Sequence, residues 1–229
     1  MSTISEQLER VYERVNLACE KSSRSTDDVS VVAVSKTRSV EEILAAGEAG
    51  LTCMGENRVQ EAEDKVPLVT ENVSWHLVGH LQRNKARVAV SMFDLIHSVD
   101  SLRLAKEIGK RSVQTGKDTG VLIQVNTSGA DSQFGVETEE AMDLIGEISE
   151  IKGIQVRGLM TIGSFLPDLE KVRPSFVRLR ELRDEIESAN IPGVCMDELS
   201  MGMTGDFEVA IEEGATLVRV GRAIFGPRT

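Results

Sequence analysis

The run Val29-Ser30-Val31-Val32-Ala33-Val34-Ser35 is buried-strand sequence, and it ends on Lys36. Beside apolar walls the charged form of an amine is destabilised, so its pKa falls. A neutral amine is a nucleophile, and its usual chemistry is a Schiff base with a carbonyl compound. A lysine at a strand end can also do no more than snorkel into solvent, so Lys36 alone leaves both readings open.

Two glycine-rich stretches bear on the choice. Ser200-Met201-Gly202-Met203-Thr204-Gly205-Asp206 and Arg219-Val220-Gly221-Arg222-Ala223-Ile224-Phe225-Gly226 both follow or extend a strand-like run. Glycines let backbone N–H groups approach an anion, and a helix N-terminus adds its dipole. Ser200 and Thr204 can add hydroxyl donors. Either stretch alone reads equally well as a glycine turn with a helix cap. Both together, with a lysine on the first strand, point to a phosphorylated carbonyl ligand. Two classes fit: pyridoxal 5′-phosphate (PLP) and the substrate of a sugar-phosphate aldolase.

The stretch Trp75-His76-Leu77-Val78-Gly79-His80-Leu81-Gln82-Arg83-Asn84-Lys85 places two histidines four apart on a strand-to-loop segment. Zinc bound by an HExxH pattern needs a helix and an intervening glutamate, and this stretch has neither. The one further histidine is His97, and no metal is expected. His76 reads as a core imidazole hydrogen-bonded under the ligand. In Gly55-Glu56-Asn57-Arg58, Asn57 is either a helix N-cap or a residue beside the ligand.

The elements that must position these residues follow a repeating pattern. An N-terminal helix is marked by Ile4, Leu8, Val11, Val15 and Ala18, with Thr3 and Glu6 at capping-box spacing. Candidate strands then cover 29–35, 52–54, 74–79, 95–99, 120–125, 154–160, 198–200 and 216–220. Helical patterns cover 40–49, 59–69, 85–91, 101–115, 138–151, 172–190 and 207–213, with a last turn at 223–225. Strands alternating with helices imply a parallel sheet with right-handed crossovers. Eight such units in about 200 residues predict a closed (β/α)8 TIM barrel. An open doubly wound sheet would carry a GxGxxG turn after its first strand, where this chain has Ser35-Lys36-Thr37-Arg38. No linker or low-complexity segment interrupts the pattern, so 1–229 reads as one domain. Active sites of these barrels lie at the C-terminal ends of the strands, which is where Lys36, Asn57 and both glycine stretches fall.

Composition narrows the partners. The 229 residues carry 37 acidic and 26 basic side chains, a net charge of -11, which disfavours bulk nucleic-acid binding and anionic membranes. Aromatic residues at 3% are too few for a base-stacking platform. Cys19, Cys53 and Cys195 are scattered, so they form neither a disulfide framework nor a zinc site, and a reducing cytoplasm fits. No apolar run is long enough to span a membrane, and Met1 to Arg10 lacks the apolar region of a secretory signal.

Five blocks together resemble one family, the pyridoxal phosphate homeostasis proteins: AVSKTR at 33–38, GENRVQE at 55–61, WHLVGHLQRNK at 75–85, LSMGMTGDFEVAI at 199–211 and VRVGRAIFG at 218–226. The resemblance runs across nearly the whole chain, in family order. It implies a barrel like the N-terminal domain of bacterial alanine racemase, with PLP as a Schiff base on Lys36. It further implies a phosphate held at Ser200, Thr204, Gly221 and Arg222, partly through backbone amides. Arg219 would face the pyridine nitrogen, Met54 and Asn57 would lie near the ring, and His80 nearer the rim. Two departures stand out. Many relatives carry Thr where this chain has Arg222, and many carry a lysine in the loop that here reads Asp131-Ser132-Gln133-Phe134-Gly135.

The function so implied is a cytoplasmic, monomeric PLP-binding protein that buffers or delivers the cofactor in vitamin B6 homeostasis. Apo forms of PLP enzymes are the candidate recipients. The rival is a PLP-dependent amino-acid racemase. Barrel racemases add a β-rich domain carrying a catalytic tyrosine, and three residues follow Gly226 here, so a carrier with an enzyme-like site is expected rather than an enzyme. A Schiff-base aldolase is the second rival, and a bound chromophore would separate it from the other two.

Overall fold

The computed structural model describes residues 3–69, 72–130, 133–164 and 166–227. Helix α1, Ile4–Lys21, opens on a complete capping box: the Thr3 hydroxyl accepts the Glu6 N–H, and Glu6 reaches back to the Thr3 N–H. Its stripe of Leu8, Val11, Val15 and Ala18 is buried, as the spacing requires.

Among the described residues nine parallel strands follow: β1 Ser30–Val34, β2 Cys53–Glu56, β3 Ser74–Leu77, β4 Leu95–Val99, β5 Thr119–Asn126, β6 Val136–Glu137, β7 Ile154–Met160, β8 Val194–Met203 and β9 Leu217–Val220. Pairing runs β1 to β2 to β3 to β4 to β5 to β7 to β8 to β9, and β9 pairs back onto β1, which closes an eight-stranded barrel. The eight strands anticipated from the sequence are these eight. The two-residue β6 pairs with the end of β5 and stands outside the ring. The helices are α2 Val40–Glu48, α3 Val59–Lys65, α4 Ala86–Met92, α5 Leu102–Thr115, α6 Ala141–Ser149, α7 Leu169–Ser188, α8 Phe207–Glu212 and α9 Arg222–Phe225.

Some boundaries moved. Helix α3 ends at Lys65, and Pro67 sits in a 3-10 turn over Val66–Leu68, because proline supplies no N–H to continue the helix. Strand β8 extends well beyond 198–200 at both ends. Arg58, not Asn57, is the N-cap of α3, and it makes no side-chain capping bond.

The alternation of the strands creates two cores. Val32, Cys53, Leu95, Leu122, Met160 and Leu217, each from a different strand, form a small cluster inside the barrel. Their neighbours Ala33, Met54, Ile96, Val121, Leu159 and Val218 belong to the larger layer between sheet and helices. One step beyond the inner cluster, at the same parity, the inward positions of β4 and β9 become His97 and Arg219, so the interior turns polar toward the C-terminal strand ends. Among the described residues, no helix is long and apolar enough to cross a membrane.

Candidate functional site

Lys36 lies one residue beyond the end of β1, after Ser35, and is half-buried; counted from the inward Val32 it has the inward parity. A tight turn fixes it: the Arg38 N–H donates to the Ser35 carbonyl at 3.0 Å, and Thr37 adopts a left-handed φ of 63°. Arg38 ties this turn to the far end of the chain, donating to the carbonyls of Gly226 at 2.6 Å and Pro227 at 2.9 Å.

The ends of β8 and β9 stand beside it. The Gly221 N–H donates to the Thr204 hydroxyl at 3.3 Å, so the two glycine stretches touch. Glycine is required at 202, where φ is +86° and a Cβ would lie 2.5 Å from the Ala210 Cβ. At Gly221 a Cβ would lie 3.3 Å from the Val34 carbonyl, which places this loop against the end of β1. Arg222 is exposed and opens α9, whose first N–H groups have no partner within the helix.

Below the mouth lies a buried polar column. Arg219 donates to the Ser200 hydroxyl at 2.6 Å and to the Thr161 carbonyl at 2.8 Å. Ser200 Oγ is 2.9 Å from His97 Nδ1, and His97 Nε2 is 3.0 Å from His76 Nδ1. Burial brings the Arg219 pKa down to about 10, which the Asp206 carboxylate partly offsets, so the guanidinium is still cationic at neutral pH. Burial also lowers His76 to about 4, with Asp94 opposing and Arg157 assisting. It holds His97 well below the ordinary histidine range, helped by His76 and Arg219.

The structure therefore gathers Lys36, Thr204, Gly221 and Arg222 at adjoining strand ends, with Arg219 beneath. Asn57 is half-buried just past β2, and its backbone is so close to Gly79 that a Cβ there would lie 2.2 Å from the Asn57 carbonyl. His80 sits at the rim, stacked on Phe134 at 4.3 Å and 3.7 Å from Asp100.

Two of the anticipated residues are fully buried. Met54 is fully buried, but in the layer under the helices, because it is one residue out of phase with the inward Cys53 and Gly55. Ser200 is fully buried, and its hydroxyl is spent on Arg219 and His97 rather than offered to the mouth. In the loop after β5, Asp131 and Ser132 lie outside the described residues. Gln133, near the position where many relatives have a lysine, donates to the Gly163 carbonyl at 2.8 Å.

Sequence reasoning named His97 without giving it a role and passed over Lys65 and Glu56. His97 could have been found from its parity with Leu95 in Leu95-Ile96-His97-Ser98-Val99. A polar ring on the inner face of a barrel strand needs a partner.

The chain matches the family of the alanine racemase N-terminal domain over residues 7–229. It is 43% identical to the pyridoxal phosphate homeostasis protein of Aquifex aeolicus, over 97% of each chain. The structure of PipY from Synechococcus elongatus with PLP bound superposes with a TM-score of 0.86 at 34% identity, over 98% of this chain and all of that one. An alanine racemase of Clostridium difficile shares the fold, with a TM-score of 0.78 at 13% identity, over 97% of this chain and 57% of that one.

Proposed function

The chain belongs to the pyridoxal phosphate homeostasis proteins, and from that premise we propose that it holds PLP as a Schiff base on Lys36 and serves to buffer or deliver it. Residues 1–229 act as one domain for this purpose. PLP supplies an aldehyde that an amine can capture and, in enzymes, an electron sink. Lys36 would supply the neutral amine for that capture, its two N–H protons leaving with the aldehyde oxygen as water.

One observation carries the fit. Arg219 is a buried cation whose two described hydrogen bonds go to neutral oxygens, the Ser200 hydroxyl and the Thr161 carbonyl. A cation so placed beneath a mouth with an amine and backbone N–H groups suits an anionic ligand with a neutral ring nitrogen. The Thr204 hydroxyl, held by the Gly221 N–H, and the Arg222 N–H receive the phosphate, and the Arg222 guanidinium adds a charge-assisted bond. Ser200 acts on Arg219 instead of on the ligand. Asn57 and His80 border the ring from the side of β2 and β3.

Borohydride reduction of the PLP-loaded protein followed by mass mapping tests this reading. The adduct is expected on Lys36, with a visible absorbance band before reduction. An adduct on another lysine, or a protein that stays colourless with PLP, refutes it.

A further inference from the structure

The neighbours of Lys36 on both sides are gripped from outside the barrel by one buried charge cluster. Lys65, on the last turn of α3, donates to the Ser35 carbonyl at 2.8 Å, to Glu56 Oε1 at 2.9 Å and to Glu61 Oε1 at 2.6 Å. An ammonium has three protons, and these three oxygens account for them. The Ser35 hydroxyl donates to the same Glu56 Oε1 at 2.7 Å, and the Thr37 N–H donates to the same Glu61 Oε1. Ser35 is therefore held at its hydroxyl and its carbonyl, and Thr37 at its N–H, with Lys36 between them.

Packing alone gives no reason for this cluster. The Lys65 side chain is 9% exposed and that of Glu56 fully buried. Glu56 Oε2 is buried with no hydrogen-bond partner among the described residues. Buried ion pairs gain little over apolar side chains of the same volume, and an idle carboxylate oxygen adds a desolvation cost. Burial raises the Glu56 carboxyl, against the pull of Lys65 and Ser35. What the cluster does provide is direction. It holds Thr37 in a left-handed conformation that a β-branched residue avoids. The parts come from a single β–α unit: Glu56 ends β2, and Glu61 and Lys65 are four apart on one face of α3.

We propose that Lys65, with Glu56 and Glu61, is a positioning residue for Lys36, fixing the backbone on both sides so that the amine meets an aldehyde held at the mouth. This rests on Lys36 being the Schiff-base lysine.

The test compares two ligands on the full-length protein. PLP can be captured by an amine; pyridoxine 5′-phosphate has an alcohol in place of the aldehyde and reports only ring and phosphate binding. In Lys65→Met, PLP affinity should fall about tenfold or more, as expected for a misplaced reacting group, while affinity for the alcohol stays within about twofold. Glu56→Gln/Lys65→Met removes both charges at similar volume, so it keeps the test alive if the single variant fails to fold, and it should show the same selective loss. Native PLP affinity in these variants, or an equal loss for both ligands, overturns the proposal. Lys36→Ala separates the two layers of the argument. If it keeps the native preference for the aldehyde, the Schiff-base reading falls and the positioning role falls with it. If it loses the preference while Lys65→Met keeps it, only the positioning role fails.

Discussion

His97 Nε2 stands 3.0 Å from His76 Nδ1 in the barrel interior, and both rings are buried. Two neutral imidazoles can share this bond only if one nitrogen carries a proton and the other does not. Arg219 can only donate to Ser200, so the hydroxyl is free to donate to His97 Nδ1, leaving the His97 proton on Nε2 to serve His76. The column then runs one way from Arg219 to His76, with every bond satisfied and a single positive charge at its upper end.

That arrangement makes stability depend on pH. Both histidines have folded pKa values below the unfolded one, so between about pH 6.5 and 4 the unfolded chain binds protons that the folded chain does not. Their contribution is complete above that window and is lost as pH falls through it, by about 3 kcal/mol for His76 alone. Glu56 and Asp206 are raised by burial and act in the opposite sense. The histidine share is therefore read as a difference. Urea unfolding at pH 7, 6 and 5 should show a steeper loss in the native chain than in His76→Asn. Parallel pH profiles would contradict the neutral column.

Ser200→Ala should act first on stability. It strips Arg219 Nη1 and His97 Nδ1 of a shared partner inside the barrel, a loss of about 1.5–3 kcal/mol for a bond to a charged group. Denaturant midpoints measured without ligand give the number directly. An unchanged midpoint would mean that the hydroxyl does not hold Arg219.

Gly79→Ala should destabilise by about 1–3 kcal/mol or more, because the added Cβ would meet the Asn57 carbonyl at 2.2 Å and backbone must move. The same shift displaces Asn57, so PLP affinity should drop as well. Near-native thermal unfolding and affinity would show that the two loops are not in contact.

Much of this was legible in the sequence, for reasons that can be located. The strands were found because runs such as Val29-Ser30-Val31-Val32-Ala33-Val34 have no competing helical period. Lys36 was visible because a charge at the end of such a run is conspicuous. The layer that holds Met54 was not legible, because motif membership says nothing of parity: one residue separates the barrel interior from the helix layer. Ser200 was assigned to the ligand because a hydroxyl in a glycine-rich loop looks like a donor, and its partners Arg219 and His97 lie 19 and 103 residues away. Lys65 was passed over because, at i,i+4 from Glu61, it reads as a solvated helix pair; only folding brings Glu56 and Ser35 to it.

The last prediction concerns turnover. On the proposed placement Arg219 faces the pyridine nitrogen. Arg219 is 5% exposed, and its pKa of about 10 keeps it cationic at neutral pH. A cation there favours the unprotonated ring, which is the weaker electron acceptor, so the α-proton of a bound amino acid is poorly activated. Racemisation further needs an acid and a base on opposite faces of the substrate. Lys36 supplies one face. The chain's one tyrosine, Tyr12, is on α1 outside the barrel, with its side chain exposed. Incubating the PLP-loaded protein with L-alanine in deuterated water should therefore displace Lys36 from the cofactor, seen as a spectral shift, without appreciable deuterium at the α-carbon. Fast α-exchange that disappears in Lys36→Ala would mean that the barrel catalyses as well as carries. Slow exchange that persists in Lys36→Ala would belong to the free cofactor and leave the reading as it stands.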